Sequence, residues 1–183
     1  KKINVNKKPI YDFENNLKIQ VCCVGQSQSG IEYFLEFIKK GNIDESKIIE
    51  VVNEFDIAHV FNNKDLILQF SQVSFQDAFN PQKQSKTNVI LLLFSLIQKE
   101  SFEFLKQEWS NYEKSIAGHY RIILVGVGSE DWDDDFPDFV QQNEINEFAK
   151  IIHCFKVVKC SYLTGNKIEY CKDQISKSVI SEK

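Results

Sequence analysis

The sequence predicts an α/β fold built on a mostly parallel sheet. Three observations carry that expectation. Strand-like and helix-like segments alternate along the 183 residues. The run Val89 to Ser95 is almost continuously apolar, as in a strand covered on both faces. The first strand-like segment runs straight into a turn bracketed by Gly25 and Gly30, and a helical pattern follows at once.

Residues 1–16 read as a polar leader, 17–180 as one domain and 181–183 as a tail. Leu17, Ile19, Val21 and Cys23 alternate as a first strand, with period 2. Ile31, Phe34, Leu35 and Ile38 then fall at i, i+3, i+4 and i+7, one face of a helix that ends at Gly41. Ile48 to Phe61 and Leu66 to Phe70 are two strands, joined at Asn62-Asn63-Lys64 because Asn tolerates positive φ in a hairpin turn. Ser71 to Thr87 is polar and is expected to be irregular.

After the buried strand at Val89, the residues Phe102, Leu105, Trp109, Tyr112 and Ile116 form a helical stripe closed by Gly118. Arg121 to Gly126 is the next strand, followed by an acidic loop and a helix face of Ile145, Phe148, Ala149 and Ile152. Phe155 to Cys160 is the last strand, and Ile168, Cys171, Ile175 and Val179 stripe the closing helix. The total is six strands, with no internal repeat or long linker.

Composition narrows the function classes. A net charge of −4 disfavours nucleic-acid binding, which needs clustered cations against phosphates. The pairs Lys7-Lys8 and Lys39-Lys40 read as solvated. No apolar stretch reaches the roughly 18 residues that span a bilayer. Ser181-Glu182-Lys183 is not a prenylation box, so no membrane anchor is expected. The five cysteines, Cys22, Cys23, Cys154, Cys160 and Cys171, lack paired metal-ligand spacing and read as buried reduced thiols of a cytoplasmic, non-secreted chain. Cys22 and Cys23, adjacent in a strand, should face opposite sides of the sheet.

The turn at Gly25 to Gly30 keeps the Gly-x-x-x-x-Gly spacing of a phosphate-binding loop, but Ile31 and Glu32 follow where Lys and Ser/Thr belong. Four segments in order then resemble the Ras superfamily of small GTPases, most closely its Rho/Rac branch, over about residues 17–180. They are Val24-Gly25 through Gly30; Asn88 to Leu96 with Glu100-Ser101-Phe102-Glu103 and Trp109; Ile122 to Gly126; and Lys159-Cys160-Ser161-Tyr162-Leu163-Thr164. The brief acidic loop Asp131 to Asp138 stands where a Rho protein carries an insert helix. The resemblance implies a P-loop NTPase-type three-layer fold, with a mostly parallel six-stranded sheet and helices on both faces.

The resemblance also implies where nucleotide contacts belong, and most are missing. The Lys position is Ile31, the magnesium-hydroxyl position is Glu32, and the first switch Thr falls near Glu50. The window Gln69 to Phe75 has no Asp and no Gly for the γ-phosphate motif. Of the base-reading motif only Glu130 or Asp131 imitates the acid, and Ser161 alone stands intact in the last motif. Hydrogen bonds to charged groups contribute roughly 1.5–3 kcal/mol each. Four such losses cost about 6–12 kcal/mol, or roughly four to eight decades of affinity, although such terms do not add strictly.

The expected function is therefore that of a pseudo-GTPase: a non-enzymatic scaffold subunit with no nucleotide cofactor and no metal, contacting protein partners in a larger assembly. Gly25, Gly30, Ile31, Glu32, Glu130 and Ser161 would line a vestigial pocket. By analogy the assembly is cytoskeletal or ciliary. The alternatives are a divergent GTP/GDP-binding regulator with unfamiliar contacts, or a pocket remodelled for another anion.

Phe75 and Phe79, with Phe70, either pack the second switch segment (about 70–87) or meet a partner, and the first segment spans about 43–56. Trp132 and Phe136 either anchor a partner or tuck onto the domain. Asp131, Asp133, Asp134, Asp135 and Asp138 lack the Gly and terminal Glu of a calcium loop and read as solvated. His59, His119 and His153 have no matched acid or Cys and form no catalytic set.

Overall fold

A computed structural model describes residues 10–11, 16–44, 54–80, 82–83, 86–113 and 120–180. The strands are β1 (Ile10–Tyr11), β2 (Leu17–Val24), β3 (Glu54–Phe61), β4 (Lys64–Gln72), β5 (Val89–Ser95), β6 (Arg121–Val127) and β7 (Lys156–Cys160). The helices are α1 (Ile31–Lys40), α2 (Phe75–Ala78), α3 (Lys99–Tyr112), α4 (Gln142–Ile151) and α5 (Ile168–Ile180). The sheet runs β3-β4-β2-β5-β6-β7. Every neighbouring pair on that path is parallel except the β3–β4 hairpin. β1 adds a two-residue antiparallel strand against Leu17 and Lys18, inside the segment expected to be a polar leader.

The alternation of side chains along β2 sends the chain into two cores. Ile19, Val21 and Cys23 join α1 and α5 on one face, while Cys22 and Val24 join α2, α3 and α4 on the other. Adjacent Cys22 and Cys23 do face opposite sides. β5 lies at the centre, and all seven of its residues are buried. α1 docks through Ile31, Phe34, Leu35 and Ile38 and stops at Gly41, whose N–H bonds the Phe37 carbonyl at 2.7 Å. Asn62 and Asn63 take φ of 51° and 59°, the two left-handed residues of a hairpin whose register closes at Phe61 and Lys64.

Several boundaries differ from expectation. The segment from Ser71 is not wholly irregular: β4 extends to Gln72, and α2 forms on a Ser74 cap, whose hydroxyl accepts the Asp77 N–H at 3.1 Å. Four residues are too few for a periodic signal, so α2 was invisible to sequence pattern. Between β6 and α4 the chain makes turns without an insert helix. Cys154 is only half-buried, whereas the other four cysteines are buried, and all five are free. The expected strand start at Ile48, the stripe end at Ile116 with Gly118, and Lys7, Lys8, Glu50 and His119 lie outside the described residues. No helix of the described residues is long and apolar enough to cross a membrane.

Candidate functional site at the carboxyl ends of the strands

Open parallel sheets bind ligands outside the carboxyl ends of their strands, and the loops that follow β2, β6 and β7 gather there. After Val24 the chain bends at Gly25, where any Cβ would sit 2.9 Å from the Leu93 carbonyl oxygen and 2.6 Å from the Ser29 hydroxyl. Ser27–Ser29 then makes one 3-10 turn, and Gly30, at φ 77°, starts α1 from a left-handed conformation.

The turn satisfies itself. The Ser29 N–H donates to the Gln26 carbonyl at 2.9 Å, the Ser29 hydroxyl donates to the same oxygen, and the Gly30 N–H donates to the Ser27 carbonyl at 3.3 Å. An anion cradle needs such amides pointed at the ligand, and here two of them point back into the chain. Ser29 is completely buried. Ile31 is not merely uncharged, because its side chain is fully buried in the α1 face of the core. Glu32 lies in the first turn of α1, so the chain's own carboxylate complements the positive end of the helix.

On the switch side, Val73 N–H bonds the Cys23 carbonyl at 3.0 Å, and the Ser74 hydroxyl is engaged as the α2 cap. Phe75 and Phe79 are buried. Phe79 meets Trp109 and Tyr120 edge-on at 5.6 and 5.3 Å, and Phe75 lies 5.9 Å from Tyr112. Of the two roles open to these phenylalanines, packing is the one they fill here, and Trp109 is core as expected. Phe70 is fully buried against Phe55.

At the far end, the N–H groups of Gly128 and Ser129 both donate to the Cys160 carbonyl, at 3.0 and 3.1 Å, which ties the loop after β6 to the end of β7. Ser161 is fully buried, and its hydroxyl accepts the Thr164 N–H at 3.1 Å. Glu130 and Asp131 are exposed. Tyr162 stacks on Tyr33 of α1 with ring centroids 5.2 Å apart and planes 17° from parallel. A Cβ at Gly30 would meet Tyr162 at 3.2 Å and Val127 at 3.4 Å, so this turn lies against the loop after β7 and the end of β6. Sequence reasoning missed this pair, since 129 residues separate the two rings and no periodicity links them.

Trp132 tucks onto the domain: its Nε1–H donates to the Val140 carbonyl at 2.8 Å, and the Lys159 ammonium sits 3.8 Å over its ring. Burial, with help from Lys167, pushes the Lys159 pKa down. Phe136 remains 48% exposed and meets Phe139 at a tilt, with ring centroids 4.5 Å apart. In the acidic loop, Asp133 accepts the Asp135 N–H and Asp134 the Gln142 N–H. His59 is buried on β3 with Nε2 3.1 Å from Asp173 of α5, an acid that the sequence did not match to it. Two cavities border the sheet and its loops. One, of about 540 Å³, is lined by Gln20, Gln69, Gln72 and Thr87. The other, of about 470 Å³, lies between Gln26 and Gln28 and the α3 residues Glu103 and Phe104. Neither is lined by Gly30, Ser161 or Glu130.

Residues 20–181 match the model of the Ras family. The Ras-like GTP-binding protein RhoL of Drosophila melanogaster is 26% identical over 179 residues, covering 96% of this chain and 90% of that protein. The Ras-like GTP-binding protein RHO1 of Entamoeba histolytica is 23% identical over 152 residues, 81% of this chain and 70% of that one. The Ras-related protein RabV of Dictyostelium discoideum is 31% identical over 126 residues, 64% of this chain and 52% of that protein. These findings correct the expectation of a non-enzymatic chain, because the matching family is enzymatic and relatives carry the name GTP-binding protein. With the sheet order, the loop positions and a match along nearly the whole domain in agreement, the chain belongs to the Ras family of small GTPases and has Rho-like relatives at low identity.

Proposed function

We propose that this chain works as a Rho-like scaffold subunit, making protein–protein contacts from a fold whose loop positions are set by packing. The observation that carries the reading is the self-satisfied loop after β2. The Ser29 and Gly30 amides bond to Gln26 and Ser27, Ile31 is sunk in the core, and Glu32 brings negative charge to the first turn of α1. A small GTPase switches when γ-phosphate and magnesium hold its loops. Here the α2 segment is held by Phe75 and Phe79 against α3, which supports a single loop arrangement that a partner can recognise without nucleotide. The setting we propose is cytoplasmic, in a cytoskeletal or ciliary assembly.

The alternative, a regulator that binds GDP or GTP through unfamiliar contacts, is favoured by Ser161, buried in place after β7, and by the names of the relatives. The deciding test is release of bound nucleotide from the denatured, freshly purified chain, followed by calorimetric titration of GDP and GTP with magnesium. An empty pocket and no heat at high micromolar ligand are expected. Stoichiometric nucleotide would sink the scaffold reading in favour of the regulator.

A further inference from the structure

We propose that the Tyr33–Tyr162 stack is an aromatic plug that excludes a purine nucleoside from the crevice between α1 and the loop after β7. The inference rests on the reading of this pocket given above and names the residues that decide what it admits.

Tyr33 is not needed to dock its helix. α1 packs through Ile31, Phe34, Leu35 and Ile38, and Tyr33 lies off that stripe, half-buried at the carboxyl edge of the sheet. Its ring instead meets that of Tyr162, which follows β7. Tyr162 in turn presses on Gly30, the last residue of the glycine-bracketed turn, where even a Cβ would come within 3.2 Å of the ring. The plug therefore joins the first turn of α1 to the β7 loop, which the Gly128 and Ser129 amides already fasten to β6.

Stacked aromatic rings have a flat, apolar face with the shape of a heterocyclic base, and base–aromatic stacking is tolerant of base identity. While the two rings are stacked on each other, a purine must break the pair to enter. Trimming both to Ala vacates a flat slot at the position where such sheets take ligands.

The test is equilibrium dialysis of radiolabelled guanosine against the full chain, with adenosine alongside. A nucleoside carries no phosphate, so Glu32 and the closed amides do not enter the reading. The wild type should retain no guanosine at millimolar concentration, and the double variant Tyr33→Ala/Tyr162→Ala should gain at least tenfold in affinity. The stack-preserving double variant Tyr33→Phe/Tyr162→Phe should behave as wild type. Circular dichroism and thermal melting establish that each variant is folded. If the double Ala variant does not fold, Tyr33→Ala alone, on a helix that favours Ala, should show a smaller gain. Wild type binding guanosine as tightly as the Ala variants, or folded Ala variants without any gain, would overturn the proposal. Retention of GDP with magnesium by a wild type that still retains no guanosine would count against the scaffold reading alone, because phosphate contacts would then hold the ligand; a wild type that retains guanosine itself would overturn the plug.

Discussion

The strands of this domain and the loops at their carboxyl ends are held in different ways. β5 and β6 are buried almost throughout, and their pairing runs unbroken from Val89–Arg121 to Ser95–Val127. The loop that leaves β2 is bracketed by two glycines, turns two of its amides inward, and is followed by a core Ile and a Glu. Burial of apolar strands is indifferent to any ligand, so it preserves the frame. Polar contacts at a pocket depend on individual side chains, and each can be replaced without unfolding the sheet behind it.

Placing a Lys after Gly30 should damage the frame before it opens the loop to an anion. Ile31→Lys places an ammonium at a fully buried position and should destabilise the fold by roughly 3–5 kcal/mol, through lost packing and an unpaired charge. Chemical denaturation reads this directly. A variant as stable as wild type that binds pyrophosphate would mean that the loop can still open toward the pocket, and the contrast between frame and loop would fail.

Gly25→Ala tests the border between the two regions. The new methyl would crowd the Leu93 carbonyl of β5, and a cost of about 1–3 kcal/mol in unfolding free energy is expected. The double variant with Ser29→Ala removes the hydroxyl clash but not the carbonyl one, so recovery should be partial.

Alkaline pH probes the frame through its thiols. Burial raises the Cys171 pKa from 9.0 to about 12, so the folded chain holds that proton more tightly than the unfolded chain does. The resulting stability is whole below about pH 9 and is lost as pH climbs toward 12. Burial likewise raises Cys23 and Cys160 well above the usual value, and nearby Cys171 adds to both shifts. Between pH 9 and 10 the Cys171 contribution should fall by roughly 1 kcal/mol. The pH slope of the urea midpoint should therefore be shallower in Cys171→Ala than in wild type, and equal slopes would count against a buried, neutral thiol.

The smallest effect belongs to the rim. Glu32→Gln removes a carboxylate from the first turn of α1 and should cost about 0.3–1 kcal/mol, lessening as salt is added. A larger loss, insensitive to salt, would show that Glu32 belongs to the frame.

Much of the frame was legible in the sequence because it rests on short-range periodicity. The α1 stripe, the Asn62-Asn63 turn, the β5 run and the opposite facing of Cys22 and Cys23 all follow from repeats of 3.6 or 2 residues and from the conformational tolerance of Asn. β1 and α2 were not legible, because two and four residues carry no period. At the candidate site, spacing singled out Gly25, Gly30, Ile31 and Glu32 and the family resemblance singled out Ser161, but their surroundings were not legible.

The sequence by itself determined the order of the main strands and helices, the glycine-bracketed turn and the Ile and Glu that follow it, since each is written in neighbouring residues. Only the tertiary structure decided that Phe75 and Phe79 pack inward, that Trp132 lies under Lys159, and that Tyr33 meets Tyr162 across the crevice. Those contacts join residues far apart in the chain, and their partners are chosen by which surfaces the folded sheet brings together.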